Sequence, residues 1–316
     1  MAPPDPHQVA RFAADLAAIW DGAGILGLAV SGGPDSMALL ELAAAALPGK
    51  IAAATVDHGL RAESAAEAAL VAARCAALGV NHAILKITLG SGNLQAQARA
   101  ARYAALAGWM ESGQIAALTT AHHADDQAET LLLRLGRGSG VAGLAGVRAR
   151  GRVPGSPLPL LRPLLGWRRS DLAEVIAVCG TAVVQDPSNT DDRFDRARIR
   201  KAVAEADWLD VPALAASAAH LADADVALDW AAQREWAEQV ERAPLGLTYR
   251  PQAPRAVALR VIARIVAELD GEAPRGSAAA RVFDALVARQ PASIGNLVAR
   301  AMPGGWSFTK APARRS

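Results

Sequence analysis

Apolar residues between positions 25 and 121 alternate between short continuous runs and longer stretches with helical spacing. The runs ILGLAV, IAAATVD, HAILKITL and QIAALTTA have the length and composition of buried strands. Each run is followed by a helical pattern, at 34–47, 63–78, 94–112 and 124–135. Apolar strands that alternate with helices predict a parallel sheet covered on both faces, the doubly wound α/β fold. Ligands in such folds bind beyond the carboxyl ends of the strands.

The pattern changes after this repeating region. Residues 138–166 are rich in Gly, Pro and Arg and predict an extended excursion over the surface, and Ser170 is suited to cap the next helix. From about residue 205 onward the spacing is helical and no strand is indicated. We therefore predict an α/β domain over 1–205 and a smaller all-helical domain over 206–316.

Composition agrees with a two-domain intracellular protein. The chain has 316 residues, of which 52% are hydrophobic and 20% charged, enough for two cores. Its two cysteines, Cys75 and Cys179, form no CxxC motif, so a disulfide framework and a four-ligand zinc site are both disfavoured. The first twenty residues do not resemble a signal peptide, and no run of about 18 uncharged apolar residues occurs. These features predict a cytoplasmic protein with no membrane segment.

Net charge is only +2, but the charge is unevenly distributed. Between Thr130 and Ser170 there are eight arginines and no acidic residue: Arg134, Arg137, Arg148, Arg150, Arg152, Arg162, Arg168 and Arg169. Such a stretch could follow an RNA phosphate backbone, with Trp167 as a stacking face; a solvated basic loop is the alternative. A second basic run, which includes Arg198 and Arg200, is interleaved with Asp192 and Asp195, so part of it is expected to form ion pairs.

The stretch SGGPDS separates the first predicted strand from its helix. Gly32 and Gly33 permit positive φ and close backbone approach, and Pro34 suits the first helical turn. With the hydroxyls of Ser31 and Ser36, the amides at this helix start form an anion site suited to phosphate; an ordinary tight turn is the alternative. Because the Asp35 carboxylate would repel phosphates directly, a bridging Mg²⁺ is implied.

Other nucleotide and metal motifs fit less well. A P-loop NTPase needs GxxxxGK[ST], and no lysine follows these glycines. Gly138, Gly140 and Gly143 spell GxGxxG but follow a helix, so a flexible loop is favoured over a dinucleotide site. The adjacent histidines in HHADD lack a recognised zinc spacing.

SGGPDS resembles the pyrophosphate loop of the N-type ATP pyrophosphatases, which cleave ATP between its α and β phosphates. Five further stretches resemble the tRNA(Ile)-lysidine synthases. They are VDHGLR, LQAQARAARYAAL, TAHHADDQAETLLLRLGRGSGVAGLAG, RPLL and DPSNTDDRFDRARIR. The resemblance covers about residues 24–205, and the chain is similar to the family's short forms. It departs from the family at Ala197, where Asn is usual, and at Gln185, where an acid is frequent.

The resemblance implies ligation of free L-lysine to C2 of the wobble cytidine in a CAU-anticodon tRNA(Ile), with ATP and Mg²⁺. Residues 31–36 would hold the β and γ phosphates, with Asp35 as the magnesium anchor. The implied catalytic residues are Asp35, His122, Asp126 and Arg102, with His122 and Asp126 around the lysine and Arg102 on the nucleotide or adenylate.

Further assignments concern the adenosine and the tRNA. Asp57, His58 and Arg61 would line the adenosine side, although an Asp at a strand end is also a common turn residue. The residues assigned to tRNA are Arg148, Arg150, Arg152, Trp167, Arg168, Arg169, Arg198 and Arg200. The second domain would dock tRNA, and the pairing of two chains stays open.

Two alternatives are retained. The first is another enzyme of the superfamily, such as a tRNA thiolase, although the two cysteines do not readily supply sulfur or ligate a cluster. The second is a nucleotide-binding regulator that has lost turnover, which the joint presence of Asp35 and HHADD disfavours.

Overall fold

The computed structural model describes residues 2–57, 64–87, 94–184, 195–274 and 276–311, without the side chains of 94–96. The chain forms two compact units, Met1–Ala222 and Asp223–Ser316. The boundary predicted from sequence, between residues 205 and 206, lies earlier in the chain than this division between Ala222 and Asp223. The division in the structure falls inside a long helix, where composition does not change.

The first unit contains a six-stranded sheet and its flanking helices. Its strands are β1 (Ile25–Ala29), β2 (Ile51–Asp57), β3 (Asn81–Lys86), β4 (Ile115–Thr119), β5 (Arg150–Arg152) and β6 (Pro159–Leu161). Its helices are α1 (Pro6–Ala17), α2 (Pro34–Ala46), α3 (Ser64–Ala77), α4 (Leu94–Ser112), α5 (Ala124–Leu135), α6 (Val141–Leu144), α7 (Arg169–Cys179) and α8 (Asp195–Glu205). Helix α9 (Val211–Gln239) begins in this unit and ends in the second.

The strand order is β3-β2-β1-β4-β6-β5, and every pairing is parallel except that of β5 with β6. The chain therefore passes from β1 to one side for β2 and β3, and then back across to β4. Crevices at such reversals are the usual ligand sites of doubly wound sheets. The predicted doubly wound fold is confirmed, and its reversal lies between β1 and β4.

Both faces of this sheet are covered, as continuous apolar strands require. On one face, Leu26 and Leu28 pack with helices α1, α2 and α7. On the other, α4 packs against β4 and β6. A Cβ at Gly27 would lie 2.8 Å from Ile115 Cγ2 and 3.0 Å from a ring carbon of Trp109, so glycine lets β1 approach α4 closely.

Two local predictions in the first unit were wrong. Residues 138–166 are not a purely surface excursion, because β5 and β6 extend the central sheet and Leu160 and Leu161 are fully buried. Strands of three residues are too short to show an alternation pattern. Helix α7 is capped at Arg168, not Ser170, and the Asp171 carboxylate accepts the Arg168 backbone N–H at 3.1 Å.

The second unit contains helices, as predicted, but also a five-stranded antiparallel sheet, so the prediction of an all-helical domain was wrong on this point. Its strands are β7 (Val240–Ala243), β8 (Gly246–Tyr249), β9 (Ala292–Ile294), β10 (Leu297–Met302) and β11 (Gly305–Lys310), in the order β7-β8-β11-β10-β9. Helices α10 (Arg255–Asp270) and α11 (Gly276–Val287) pack with its buried residues, including Trp306 and Phe308. Strands β8, β10 and β11 alternate buried and more exposed positions, but over only four to six residues, which is a weak sequence signal.

Helix α9 is, among the described residues, the one helix long and apolar enough to cross a membrane by length and composition. Its second half carries buried charges with partners in the second unit. Asp225 pairs with Arg260, and Glu235 accepts the Tyr249 hydroxyl at 3.1 Å. These bonds make this half of α9 part of the core of that unit.

Candidate active site

The glycine loop at the end of β1 has the geometry of an anion site. Gly32 has φ +88°, and a Cβ there would lie 3.0 Å from Val184 Cγ2, so conformation and space both favour glycine. Gly33 caps α2, and Pro34 occupies the first turn. The Ser36 hydroxyl accepts the Ser31 backbone N–H at 3.1 Å and donates to the Gly33 carbonyl at 3.0 Å. These bonds fix the loop with its amides at the start of α2.

Asp35, in the first turn of α2, has oxygens in two different surroundings. Its Oδ2 lies 3.4 Å from His123 Nε2, while its Oδ1 is buried and has no hydrogen-bond partner among the described residues. A buried carboxylate oxygen without a donor fits a cation ligand. Among the described residues, no three His, Cys, Asp or Glu side chains are arranged so that they could hold a metal ion by themselves. Asp35 therefore suits Mg²⁺, which often takes one or two carboxylates and completes its shell with phosphates and water.

His123 connects the two halves of the site. It is 1% exposed at the start of α5, and its ring nitrogens lie 3.4 Å from Asp35, 3.6 Å from Asp125 and 3.6 Å from Asp126. Burial alone would lower its pKa, but the carboxylates of Asp125, Asp35 and Asp126 raise the pKa of His123 to about 9. His123 is thus a cation that holds three carboxylates together.

The neighbouring His122 has the opposite character. Its Nδ1 lies 2.9 Å from the Thr120 hydroxyl. Burial lowers the pKa of His122 to about 4; Asp126 opposes this effect, whereas the charges of Arg162, Arg102 and Arg196 add to it. A neutral imidazole at pH 7 can accept a proton or a hydrogen bond. Two adjacent histidines therefore have different protonation states.

Asp125 and Glu129 connect α5 to α7 and α8. Asp125 accepts the Arg169 backbone N–H at 2.8 Å and lies 3.3 Å from the Arg168 guanidinium. Although burial would raise it, the pKa of Asp125 is held well below its ordinary value by His123, Arg169 and Arg168. Glu129 is 3% exposed; its Oε1 accepts from Arg200 at 2.9 Å and from Arg169 at 3.3 Å.

A cleft of about 420 Å³ opens beside these ion pairs, between α5, the start of α7 and the segment from α8 to α9. Its charged lining consists of three arginines and four acidic residues: Arg168, Arg169, Arg200, Asp125, Glu129, Asp207 and Asp210. Its apolar lining includes Val203 and Leu209. The second oxygen of Glu129, Oε2, is buried and has no partner among the described residues. The cleft thus has donors for a carboxylate and an acceptor for an ammonium group.

The predicted catalytic residues Asp35, His122 and Asp126 follow the carboxyl ends of the neighbouring parallel strands β1 and β4, at the sheet edge predicted from the fold. Arg102 is half-buried on α4, and its charge acts on His122. At the end of β2, Asp57 accepts the Ser64 hydroxyl at 2.8 Å. His58 and Arg61 lie outside the described residues, as does Gln185, so their assignments stay predictions.

One residue assigned to tRNA cannot act as proposed. Trp167 is fully buried; its indole N–H donates to Asp15 at 2.8 Å, and the Arg11 guanidinium covers the ring at 4.3 Å. The prediction of a stacking face was therefore wrong, because the partner that buries the ring lies far away in sequence.

The arginines assigned to tRNA fall into two groups. The first group forms ion pairs: Arg168 with Asp125, Arg169 and Arg200 with Glu129, and Arg198 with Asp195. Arg148 donates to the Ala145 carbonyl at 2.8 Å. Arg150 and Arg152 are exposed on β5 and have no ion pair among the described residues. RNA contact stays a prediction for all of them, with Arg150 and Arg152 the most available.

Two residues in the site were not singled out from the sequence. His123 was noted only as part of HHADD, and Glu129 not at all. For His123 no sequence signal distinguishes it from His122. For Glu129 a signal existed, because it lies three residues after Asp126 and therefore on the same face of α5.

A phosphate-binding glycine loop and a cluster of His and Asp residues at adjoining strand ends define a nucleotide-dependent enzyme of the PP-loop class. Residues 5–207 match the PP-loop domain family. Over 97% of its length the chain is 48% identical to a tRNA(Ile)-lysidine synthase of Novosphingobium aromaticivorans, covering 94% of that protein. It is 40% identical to one of Zymomonas mobilis, over 92% of this chain and 90% of that protein. The chain belongs to the tRNA(Ile)-lysidine synthase family.

Among solved structures, the chain is similar to the U34-tRNA thiolase NcsA from Methanococcus maripaludis with its 4Fe-4S cluster. The TM-score is 0.55 with 14% sequence identity, covering 68% of this chain and 76% of that chain. At this identity the similarity concerns the fold alone.

Proposed function

We propose that this chain is an ATP-dependent ligase that joins free lysine to C2 of the wobble cytidine in a CAU-anticodon tRNA(Ile), forming lysidine. In the first step the C2 carbonyl oxygen attacks the α-phosphorus of ATP, and pyrophosphate leaves. In the second, the lysine ε-amine attacks C2, and AMP leaves with the former carbonyl oxygen. Family membership supports this reaction, and the observation that carries it is the contact between Asp35 of the glycine loop and His123 of α5.

The residues at the site supply positioning and charge, which dominate phosphoryl transfer. Loop amides and the hydroxyls of Ser31 and Ser36 would hold the β and γ phosphates. Asp35 would hold Mg²⁺, which neutralises charge on phosphate oxygens when bound. Neutral His122 and the side chain of Asp126 would lie where the amine must lose its proton, and His122 can accept it.

We further propose that lysine enters the cleft beside Glu129. Free lysine carries a carboxylate and two ammonium groups, and the cleft offers arginines and an unsatisfied carboxylate oxygen. An apolar lining from Val203 and Leu209 suits the methylene chain. Location in the cytoplasm stays a prediction from sequence, and the pairing of two chains stays open.

The decisive experiment measures pyrophosphate release and incorporation of labelled lysine into tRNA(Ile), with and without lysine. Asp35→Asn is expected to lower pyrophosphate release by about 100-fold or more, since it removes the carboxylate proposed to hold Mg²⁺ against the phosphates. Asp5→Asn is the control, because Asn caps α1 as well as Asp does. Unchanged turnover in Asp35→Asn would refute the magnesium role, and incorporation of sulfur instead of lysine would identify a thiolase.

A further inference from the structure

One part of the first unit brings several arginines together without a carboxylate. Tyr103 of α4 is fully buried, and the guanidinium carbons of Arg99 and Arg102 lie 5.1 and 5.0 Å from its ring centre. Arg162, only 8% exposed, lies beside the Tyr103 hydroxyl. Within the described part of the chain, none of these three arginines has an ion pair. Like charges gathered in this way indicate an anion that is bound from outside.

Unsatisfied polar atoms lie in the same region. Tyr103 Oη, Arg102 Nε and Arg162 Nε are buried, and none has a hydrogen-bond partner among the described residues. Buried polar groups in folded proteins nearly always have partners, so a group of exceptions requires an explanation. All three atoms are donors or can act as donors, which is what a ligand rich in acceptor oxygens requires.

The sheet places this group next to the reacting centre. Strand β6 pairs with β4, with Leu161 opposite Thr119, and the Thr120 N–H donates to the Leu161 carbonyl at 3.1 Å. Arg162 thus follows β6 at the same edge where His122 follows β4, and its charge acts on His122. The glycine loop lies on the opposite side of His122, after β1. Arg150, opposite Leu161 on β5, continues the row of cations along this edge.

We propose that Tyr103, Arg102 and Arg162 form a phosphate subsite that takes the backbone phosphodiester of the RNA next to the reacting cytidine. This assigns Arg102 to the RNA instead of the nucleotide or adenylate that the family resemblance implied. The proposal rests on the proposed function, which brings an RNA strand to His122. A phosphodiester offers acceptor oxygens to the unsatisfied donors and one negative charge to the arginines. The phosphates of ATP have the same chemistry, but the glycine loop provides for them on the other side of His122.

The first test is the salt dependence of tRNA binding by Arg162→Gln. Loss of one phosphate contact is expected to weaken binding about 10-fold and to lower the slope of log K against log salt by about 0.7, the value per contact on single strands. Affinity for ATP is expected to stay unchanged. An unchanged slope would overturn the proposal. A loss of ATP affinity with normal RNA binding would also overturn it, because the subsite would then serve the nucleotide.

The second test replaces one phosphodiester flanking the target cytidine by an uncharged methylphosphonate in an anticodon stem-loop RNA. The wild type is expected to lose about as much affinity as Arg162→Gln loses with natural RNA. Arg162→Gln is expected to lose nothing further on the modified RNA. Additive losses at both flanking positions would show that the arginine and these phosphates do not meet.

Tyr103→Phe keeps the ring and removes only the unsatisfied hydroxyl, so it provides a variant whose folding is not at risk from a lost charge. It is expected to weaken RNA binding several-fold. Tyr249→Phe, the other buried tyrosine, loses its bond to Glu235 and is expected to lower stability without changing RNA affinity. These binding measurements need no turnover. Failure of the wild type to incorporate lysine would therefore refute the proposed function separately.

Discussion

His123 determines how Asp35 can be used. Its ring lies against one carboxylate oxygen of Asp35 and leaves the other without a donor. Because His123 also contacts Asp125 and Asp126, it balances part of a negative charge that would otherwise repel ATP. The carboxylate cluster is therefore neutralised partly from within the protein, and the proposed Mg²⁺ would balance the rest of its charge.

The two histidines predict a defined pH dependence of stability in the protein without nucleotide or divalent ion. For His122, the folded pKa of about 4 lies below the ordinary value, so the unfolded state binds more protons between about pH 4 and 6.5, and stability falls as pH decreases there. For His123, the folded pKa of about 9 lies above it, so its contribution is complete below about pH 6.5 and is lost as pH rises towards 9. Thermal unfolding measured across pH 4–9 is expected to show a maximum near neutrality.

Single variants separate the two effects. His122→Asn is expected to flatten the acid side of this profile, and His123→Gln the alkaline side. His220, exposed on α9, provides the control variant His220→Gln, which is expected to leave both sides unchanged. A profile of His123→Gln that matches the wild type above pH 7 would contradict the charge assigned to His123.

A substitution at Glu129 is expected to change lysine binding without changing ATP binding. Glu129→Gln removes the negative charge but keeps an oxygen and nearly the same shape. The KM for lysine is expected to rise about 10-fold or more, since a charged hydrogen bond is lost, whereas ATP affinity stays unchanged. Steady-state kinetics with varied lysine concentration test this. Glu174→Gln is the control, because Glu174 is exposed on α7. An unchanged KM would remove Glu129 from the lysine site.

Elements with long, continuous patterns were predictable, and short ones were not. The predicted helix at 94–112 coincides with α4, and that at 124–135 coincides with α5. Each segment has many apolar residues at helical spacing, so the pattern is clear. Strands β5 and β6 have three residues each, and their place in the sheet depends on the pairing of β6 with β4 and of β5 with β6, which no local pattern contains. The position of Asp35 opposite α5 could be predicted, since strand ends meet at one edge. The burial of Trp167 could not, because it depends on Asp15.

Substitution of one glycine in the loop after α6 is expected to lower the stability of the protein measurably. The Gln127 side chain donates to the Val147 carbonyl and accepts its N–H, both at 2.9 Å. A Cβ on Gly146, where φ is +61°, would lie 2.4 Å from Gln127 Oε1. Gly146→Ala is therefore expected to lower the free energy of unfolding by about 3 kcal/mol, from backbone strain and two lost hydrogen bonds.

Gly155→Ala is the matched control for that loop. Gly155 also has positive φ, +77°, but a Cβ there meets nothing within 4 Å. The expected loss is about 1 kcal/mol, from the backbone alone. Urea unfolding of both variants makes the comparison. Equal losses would show that the Gln127 side chain contributes little to the loop.

For the whole molecule, the distribution of charge matters more than its sum. A net charge of +2 does not predict affinity for RNA, and several arginines of the basic stretch are already paired. Arg150→Gln with Arg152→Gln is expected to lower the salt slope of tRNA binding by about 1.4, two contacts on single-stranded RNA. Arg255→Gln, whose side chain pairs with Asp284, is the control and is expected to leave the slope unchanged. A slope unchanged in the double variant would exclude β5 from the RNA path.

The charge contact between Asp35 and His123 has a consequence for how the protein is made. The two residues belong to the first and fourth βα repeats, so the ribosome synthesises the glycine loop well before its counterpart. A nascent chain that ends within β3 can form a turn at SGGPDS but lacks every group that neutralises Asp35 from α5. Competence to bind nucleotide productively is therefore expected to arise late in translation, when β4 inserts beside β1, and not gradually as the chain lengthens.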